Sequence, residues 1–191
     1  MKVFYMIVGG SSMPLPKETT YTIEDIYNLP DGQRAELIDG EIYMMSPPSA
    51  THQRISGFLQ WAVTDYIRKK KGGCEIFAAP FAVFLKNDDN NYLEPDLTIV
   101  CDKDKIDEKG CHGAPDWVVE IVSSSSKRMD YYKKLNLYQE AGVREYWIVD
   151  PLKKIILVYN LEDADAPTMY RLTHKIKVNI YDDFEIDMSE M

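Results

Sequence analysis

The chain has 191 residues, of which 45% are apolar or aromatic and 28% are charged. This length and balance exclude a disordered chain and predict one globular domain over residues 1–191. The formal net charge of −9 argues against nucleic-acid binding unless the basic residues cluster on one face.

The N-terminal segment and the cysteines bear on where the protein works. Residues 1–15 lack a long apolar segment or a cleavage site, so we expect a flexible segment or an extra edge strand rather than a signal peptide. No stretch approaches the roughly 20 apolar residues of a membrane span. The odd set of Cys74, Cys101 and Cys111 contains no C-x-x-C pair, which argues against disulfides and a zinc site. We therefore expect a reduced, cytoplasmic protein.

The first predicted elements are a short helix, a hairpin and a long helix. "TYTIEDIYNLPDG" predicts a helix that Thr22 caps and that ends at Leu29-Pro30. "RAELIDGEIYMMS" predicts a hairpin around Asp39-Gly40. "SPPSATHQRISGFLQWAVTDYIRKKKGG" has apolar residues at helical spacing, with Ser49 or Thr51 as cap and Gly72-Gly73 as its end.

Strands then dominate the chain. "CEIFAAPFAVFL", "DLTIVC" and "DWVVEIVS" read as strands, and the serines at 123–126 form a loop before a second helix, "RMDYYKKLNLYQEAGV". "REYWIVDP" and "KIILVYNL" follow, and the tail holds one or two short strands. This order predicts an α/β fold with a central mixed β-sheet and helices packed on it.

A carboxylate lies inside one of the most apolar strands. In "DWVVEIVS", Glu120 shares a face with Val118 and Val122, because side chains alternate along a strand. A buried carboxylate is costly unless it has a partner, so Glu120 requires a cation or a metal nearby. An ordinary salt bridge, or a strand end that reaches water, explains Glu120 alone equally well.

Further polar residues surround this strand in sequence. Asp96 follows Pro95 at the start of a strand, and Asp130, Lys134 and Tyr138 form one stripe of the second helix. Taken singly, these are an ordinary turn acid and an exposed ion pair. Together, two carboxylates and a lysine are the parts for phosphodiester hydrolysis, since the carboxylates can hold a divalent cation that activates water.

The ordered set resembles the PD-(D/E)XK nuclease superfamily, with its restriction-endonuclease-like fold. More closely, it resembles the Uma-type family of restriction-endonuclease-like proteins. The stretches that carry the resemblance run from about residue 20 to about residue 160: "RAELIDGEIYMMSPPS" with "HQRI", "EPDLTIV", "GAPDWVVEIVSSSS" and "DYYKKLNLYQEAGVREYWIVDP".

The resemblance implies roles for individual residues. It implies that Asp96 and Glu120 bind a metal, and that Glu36 holds a second metal or a water. The superfamily lysine usually lies two residues after the glutamate, where this chain has Val122; the resemblance places it instead at Lys134. It further implies that Asp130 and Tyr138 support Lys134, and that His52 and Gln53 match a position that faces the site. An ordinary side chain at the start of a helix, near the edge of the core, is the favoured alternative for His52.

The resulting hypothesis is a Mg²⁺-dependent endodeoxyribonuclease, with Mn²⁺ as a substitute, that acts on DNA as a two-fold homodimer. The main alternative is an inactive nuclease-fold module that binds nucleic acid or protein. A glycosidase with paired carboxylates ranks low, because a lysine has no natural role there. The candidates for phosphate contacts are Arg54, Arg68, Lys69, Lys70, Lys71, Lys127 and Arg128.

Overall fold

The computed structural model describes residues 5–8, 11–14, 20–86, 88–123, 126–163 and 166–191. In this part of the chain no helix is long and apolar enough to cross a membrane. The α-helices are α1 (Ile23–Tyr27), α2 (Ala50–Lys70) and α3 (Lys134–Ala141). The strands are β1 (Tyr5–Val8), β2 (Ser11–Pro14), β3 (Ala35–Ile38), β4 (Glu41–Met44), β5 (Glu75–Ala78), β6 (Val83–Phe84), β7 (Leu97–Val100), β8 (Ile106–Asp107), β9 (Gly110–His112), β10 (Trp117–Ile121), β11 (Glu145–Asp150), β12 (Ile155–Asn160), β13 (Thr168–Arg171), β14 (Lys175–Lys177) and β15 (Glu185–Asp187).

A six-stranded mixed sheet forms the centre of the fold, in the order β13-β12-β11-β10-β7-β5. Only the β10–β11 pair is parallel, and every residue of β7, β10 and β11 is buried. Strands that are covered on both faces read as continuous apolar runs, which is why their sequences were recognisable. The predicted α/β architecture is confirmed.

The two faces of this sheet carry different helices. Helix α2 packs its buried residues against the face that includes Trp117 and Trp147. Helix α3 covers the other face, where Tyr138 lies among Val118 and Val122. Glu120 lies between these two valines in alternation along the strand and therefore points toward α3, as the alternation of side chains predicts.

The predicted helix caps and the predicted hairpin turn are mostly confirmed. Thr22 and Asp25 form a capping box at the start of α1, and the Ser49 Oγ accepts the His52 N–H at 3.2 Å at the start of α2. The turn between β3 and β4 has positive φ at Asp39 and Gly40, as predicted. At the end of α2, however, Lys71 rather than Gly72 takes the left-handed conformation, with φ of 52°.

Several elements differ from the sequence-based expectations. The second helix begins with a π-helical turn, Met129–Lys133, before α3, and Lys103–Lys105 and Met188–Glu190 are short 3-10 helices. Strands β1 and β2 pair with each other in a separate two-stranded sheet. The described part of the tail holds three strands, β13, β14 and β15, where one or two were expected. The antiparallel pair of β8 and β9 was not predicted. Residues 124–125 of the serine loop lie outside the described part of the chain.

The expectation of three reduced cysteines is wrong, because Cys74 and Cys101 form a disulfide. These residues directly precede β5 and directly follow β7, which pair antiparallel with Glu75 opposite Val100. The two cysteine side chains therefore face each other across the ladder although 27 residues separate them in sequence. Such a pair leaves no local spacing motif, whereas Cys111 is a buried free thiol.

A second buried carboxylate, Glu145 on β11, anchors the C-terminal tail. Its Oε1 accepts hydrogen bonds from Trp147 Nε1 at 2.6 Å and Asn179 Nδ2 at 3.1 Å. Its Oε2 accepts the Ile180 N–H at 2.9 Å. Glu145 thus fastens residues 179–180 to the central sheet. Burial raises the pKa of Glu145, and these hydrogen bonds oppose the rise.

Replacing Glu145 is expected to loosen this tail. Glu145→Gln turns one acceptor into a donor that faces another N–H, so we expect a loss of about 1–3 kcal/mol in unfolding free energy at neutral pH. Because the folded-state pKa is raised, the carboxyl's titration contributes stability below its unfolded pKa, and this contribution is lost as pH rises through the folded pKa. The stability difference between wild type and variant should therefore shrink as pH rises through this window. Urea titrations at a series of pH values test this, and a pH-independent difference would contradict it.

Candidate active site

Glu120 lies near the end of β10 and has a dense set of partners. Its side chain is 5% exposed, and its Oε1 accepts hydrogen bonds from Lys134 Nζ and from the Tyr138 hydroxyl, both at 2.8 Å. No hydrogen bond reaches Glu120 Oε2 from the described residues. The sequence predicts that Glu120 needs a cationic partner, and the structure supplies Lys134 together with the hydroxyl of Tyr138.

Lys134 is almost completely buried and stands among three carboxylates. Its Nζ lies 2.8 Å from Glu36 Oε2, 2.8 Å from Glu120 Oε1 and 3.6 Å from Asp130 Oδ1. Its neighbour Lys133 instead contacts Glu41 Oε2 at 3.0 Å on the exposed side. The helix thus brings the ammonium group of Lys134, and not that of Lys133, back to the glutamate.

The π-helical turn lies directly before Lys134. It contains Asp130, whose backbone carbonyl accepts the Tyr146 hydroxyl at 2.9 Å from the sheet below. Asp130 Oδ1 is buried and has no hydrogen-bond partner among the described residues. π-Helical turns occur frequently at functional sites. Here the turn places both Asp130 and Lys134 on the sheet side of the segment.

Glu36 on β3 connects this cluster to the segment before β7. Its Oε1 accepts the Glu94 N–H at 3.0 Å, while its Oε2 contacts Lys134. Both oxygens of Glu36 are therefore already engaged. This geometry differs from that of Asp96 and Glu120, each of which retains an oxygen without a hydrogen bond from the described residues.

Asp96 precedes β7 and lies beside Glu120. Its Oδ2 accepts the N–H of Ile121 at 2.7 Å and lies 3.1 Å from His52 Nε2. His52 comes from the first turn of α2, and its Nδ1 is buried without a hydrogen-bond partner in the described part of the chain. The next residue, Gln53, is exposed, and its backbone N–H bonds to Ser49 O at 3.0 Å. Of the predicted pair, the structure brings only His52 to the site.

The sequence analysis missed a group that supports the segment before Asp96. Glu94 accepts hydrogen bonds from Arg34 Nε at 2.8 Å and from the Tyr92 hydroxyl at 2.7 Å. Arg34 and Glu94 each lie two residues before a predicted site acid, Glu36 and Asp96. This spacing, which puts residues on one face of an extended segment, was the available signal.

Negative charge exceeds positive charge in this buried cluster. Burial raises the pKa of Glu120 well above its usual range, and Asp130, Glu36 and Asp96 add to the rise although Lys134 opposes it. Burial likewise raises the pKa of Asp130. For Lys134, burial lowers the pKa, but the surrounding carboxylates outweigh it, so the ammonium stays protonated. Three carboxyl groups thus share Lys134, while Asp96 lies beside His52; a further cation near them would oppose the rise in the pKa of Glu120 and Asp130.

The donor atoms at this site suit a hard divalent cation. Within the described residues, no three His, Cys, Asp or Glu side chains form a ready-made metal cage. Mg²⁺, however, is usually held by one or two carboxylates and keeps several waters. Asp96 and Glu120 fit this pattern, because each offers one carboxylate oxygen that no described residue occupies.

Two individual proteins are similar to this chain. A crystal structure described as "a putative nuclease belonging to DUF820", from Anabaena variabilis, matches with a TM-score of 0.72 at 17% identity, over 88% of this chain and 96% of that chain. This likeness supports the predicted nuclease fold. An uncharacterised protein of Synechocystis, slr1290, is 29% identical over 161 residues, which cover 83% of this chain and 82% of the relative.

A protein-family model also matches the chain. The family is Uma2, described as "Putative restriction endonuclease", and the match runs over residues 23–188. This range includes the central sheet, both long helices and every residue of the cluster around Lys134. The chain therefore belongs to the Uma2 family, which confirms the resemblance inferred from its motifs.

Proposed function

We propose that this protein is a Mg²⁺-dependent endodeoxyribonuclease whose reaction takes place at Asp96, Glu120 and Lys134. Membership in the Uma2 family supports a nuclease-like function with a nucleic-acid substrate. The observation that carries the finer proposal is the contact of Lys134 Nζ with Glu120 Oε1 at 2.8 Å, beside Asp96. This contact joins the three parts that phosphodiester hydrolysis needs.

Asp96 and Glu120 are the residues that would hold the metal. When bound, Mg²⁺ supplies an activated water and neutralises charge on a phosphate oxygen. The chain prepares both ligands: the Ile121 N–H and His52 hold Asp96 Oδ2, while Lys134 and Tyr138 hold Glu120 Oε1. Each carboxylate is thereby oriented with one oxygen left for the cation.

Lys134 and Glu36 have different roles in this proposal. The ammonium of Lys134 orients Glu120 and offers positive charge to the phosphate as negative charge develops on it. Glu36 positions Lys134 and the Glu94 segment, because both of its oxygens are engaged. We therefore favour a positioning role for Glu36 over the metal-binding role that the resemblance implies.

The alternative of an inactive binding module is favoured by the formal net charge of −9 and by one structural observation. In the described part of the chain no three-ligand metal cage is formed. Against it, a buried surplus of carboxylates around one lysine is costly to keep without a cation to bind.

The two-fold homodimer expected from the sequence stays a prediction.

Cleavage of DNA is the direct test of the proposed activity. Supercoiled plasmid, linear duplex and single-stranded DNA are incubated with the protein in Mg²⁺ or Mn²⁺. Glu120→Gln and Lys134→Met are expected to lower the cleavage rate at least about 100-fold, because each removes a charge that acts at the reacting phosphate. Lys133→Met is the matched control, since this neighbouring lysine contacts Glu41 outside the site, and it should cleave at nearly the wild-type rate. Cleavage that persists in both Glu120→Gln and Lys134→Met would contradict the assignment of the reaction to this site.

Metal binding can be measured separately from cleavage. We expect Mn²⁺ to raise the melting temperature of the wild-type protein, because a ligand that binds only the folded state stabilises it. Asp96→Asn and Glu120→Gln should abolish this rise, whereas Glu36→Gln should retain most of it. A rise lost equally in Glu36→Gln would show that Glu36 is a ligand. No rise in the wild type, together with no cleavage, would favour the binding module.

Removing Lys134 should also destabilise the fold. Lys134→Met leaves Glu36, Glu120 and Asp130 buried without their cation, so we expect a loss of about 3–5 kcal/mol in unfolding free energy. Adding Glu120→Gln to this variant should recover part of the loss, because one of the unpaired charges is removed. Urea unfolding of the single and double variants measures this coupling, and strictly additive losses would contradict it.

A further inference from the structure

Several strand ends meet at the edge of the sheet that carries the candidate active site. The Ile121 N–H bonds to Asp96 Oδ2, so the start of β7 lies beside the end of β10. Strand β11 runs parallel to β10 with Val149 opposite Ile121. The turn between β11 and β12, residues 151–154, therefore projects from the same edge as Asp96 and Glu120.

This turn presents an apolar residue followed by two lysines. Leu152 is 74% exposed, more than any other large hydrophobic residue in the described part of the chain. Lys153 and Lys154 follow it, and both are exposed. The Lys153 N–H bonds to Asp150 Oδ1 at 2.9 Å, and Lys154 has a positive φ of 57°. The turn is thus a tight, defined structure and not an extended loop.

The turn is also fixed relative to the active site. Asp150 is buried, and its Oδ2 accepts the Tyr131 hydroxyl at 2.9 Å. Lys153 Nζ lies 4.6 Å from the centre of the Tyr131 ring. Tyr131 belongs to the π-helical turn that leads into Lys134. The tip and the lysine of the site are therefore held by one continuous set of contacts.

Cations gather around this edge. Lys153 Nζ lies 3.9 Å from Asp150 Oδ2, whereas four others have no carboxylate partner in the described part of the chain. No described carboxylate lies within ion-pair distance of Lys127, Arg128 or Lys154, and Arg54 near His52 is likewise unpaired within the described residues. At the other end of α2, Lys69 and Lys70 are paired with Asp65 and Asp183. Arg68 and Lys71 have no ion-pair partner there among the described residues, but Arg68 lies roughly 21 Å along the helix from Arg54. We therefore withdraw Arg68, Lys69, Lys70 and Lys71 as candidates for phosphate contacts at this site. This placement answers the objection raised by the net charge, because phosphate binding depends on local positive charge.

We propose that residues 151–154 form a finger that contacts the DNA substrate beside the scissile bond. This inference rests on the proposed nuclease function and adds to it the surface that engages DNA. Lys153 and Lys154 contact backbone phosphates, together with Lys127 and Arg128. Leu152 packs against sugars and base edges in the minor groove, where leucine is among the apolar side chains that proteins insert. An exposed apolar residue followed by two exposed lysines fits a nucleic acid, which offers phosphates and apolar sugar and base surfaces side by side.

DNA binding without metal tests the finger independently of cleavage. Fluorescence anisotropy of a labelled duplex is measured in EDTA over a series of salt concentrations. Lys153→Gln/Lys154→Gln is compared with Arg68→Gln/Lys71→Gln, which changes the net charge equally at the far end of α2. We expect the finger variant to bind at least about 10-fold more weakly and to reduce the salt slope by about 1 per lysine. The control variant should change the affinity less than about 2-fold.

Leu152→Ala tests the apolar tip. It should weaken duplex binding several-fold without changing the salt slope, because no charge is removed. Melting temperatures and size-exclusion chromatography of each variant show whether folding or self-association has changed instead.

The outcomes separate the finger from the catalytic proposal. Equal loss of affinity in the two double variants, or no binding by the wild type, overturns the finger. A Leu152→Ala variant that changes only the oligomeric state assigns the tip to a second copy of the chain, and this also overturns it. If the wild type binds through the finger but never cleaves with Mg²⁺ or Mn²⁺, the finger stands and the nuclease assignment fails.

Discussion

The buried ammonium group of Lys134 is the contact on which the rest of the site depends. It joins β3, β10 and the π-helical turn through Glu36, Glu120 and Asp130, which are far apart in sequence. Through Glu36 it also fixes the Glu94 N–H, two residues before Asp96. Opposite charges that are buried together hold their geometry tightly, because losing one partner leaves the other without solvent or counter-ion. The same contact therefore organises the fold and places the candidate catalytic groups.

The cluster is stable enough to fold, yet it remains incompletely neutralised. Lys134 is the one ammonium group that faces Glu36, Glu120 and Asp130 among the described residues, and burial raises the pKa of Glu120 and Asp130. A full set of counter-charges from the chain would leave no reason for a metal to bind. Under the proposed function, a cation that binds this site would stabilise the folded protein further.

Features with a local signature were the ones that could be predicted from the sequence. Continuous apolar runs marked β7, β10 and β11, and the Asp39-Gly40 turn marked the first hairpin. Glu120 was identifiable because a charge inside a buried strand requires a partner. The disulfide between Cys74 and Cys101 had no such signature, since it depends on two strands pairing 27 residues apart. The π-helical turn was also missed, because its pattern of side chains differs from an α-helix only by a small shift in phase.

The two proposed metal ligands differ in what else they do for the protein. Asp96 Oδ2 accepts the Ile121 N–H and so completes the hydrogen bonding where β7 and β10 meet. Among the described residues Glu120 makes no hydrogen bond to the backbone, and its partners are the side chains of Lys134 and Tyr138. A descendant that gave up its chemistry could replace Glu120 and Lys134 by apolar residues if Glu36 and Asp130, which share Lys134, changed with them, but it would still need Asp96. During such a loss of function Glu120 would be replaced while Asp96 was kept. An aspartate at this position without the glutamate would then indicate that an ancestor had been an enzyme.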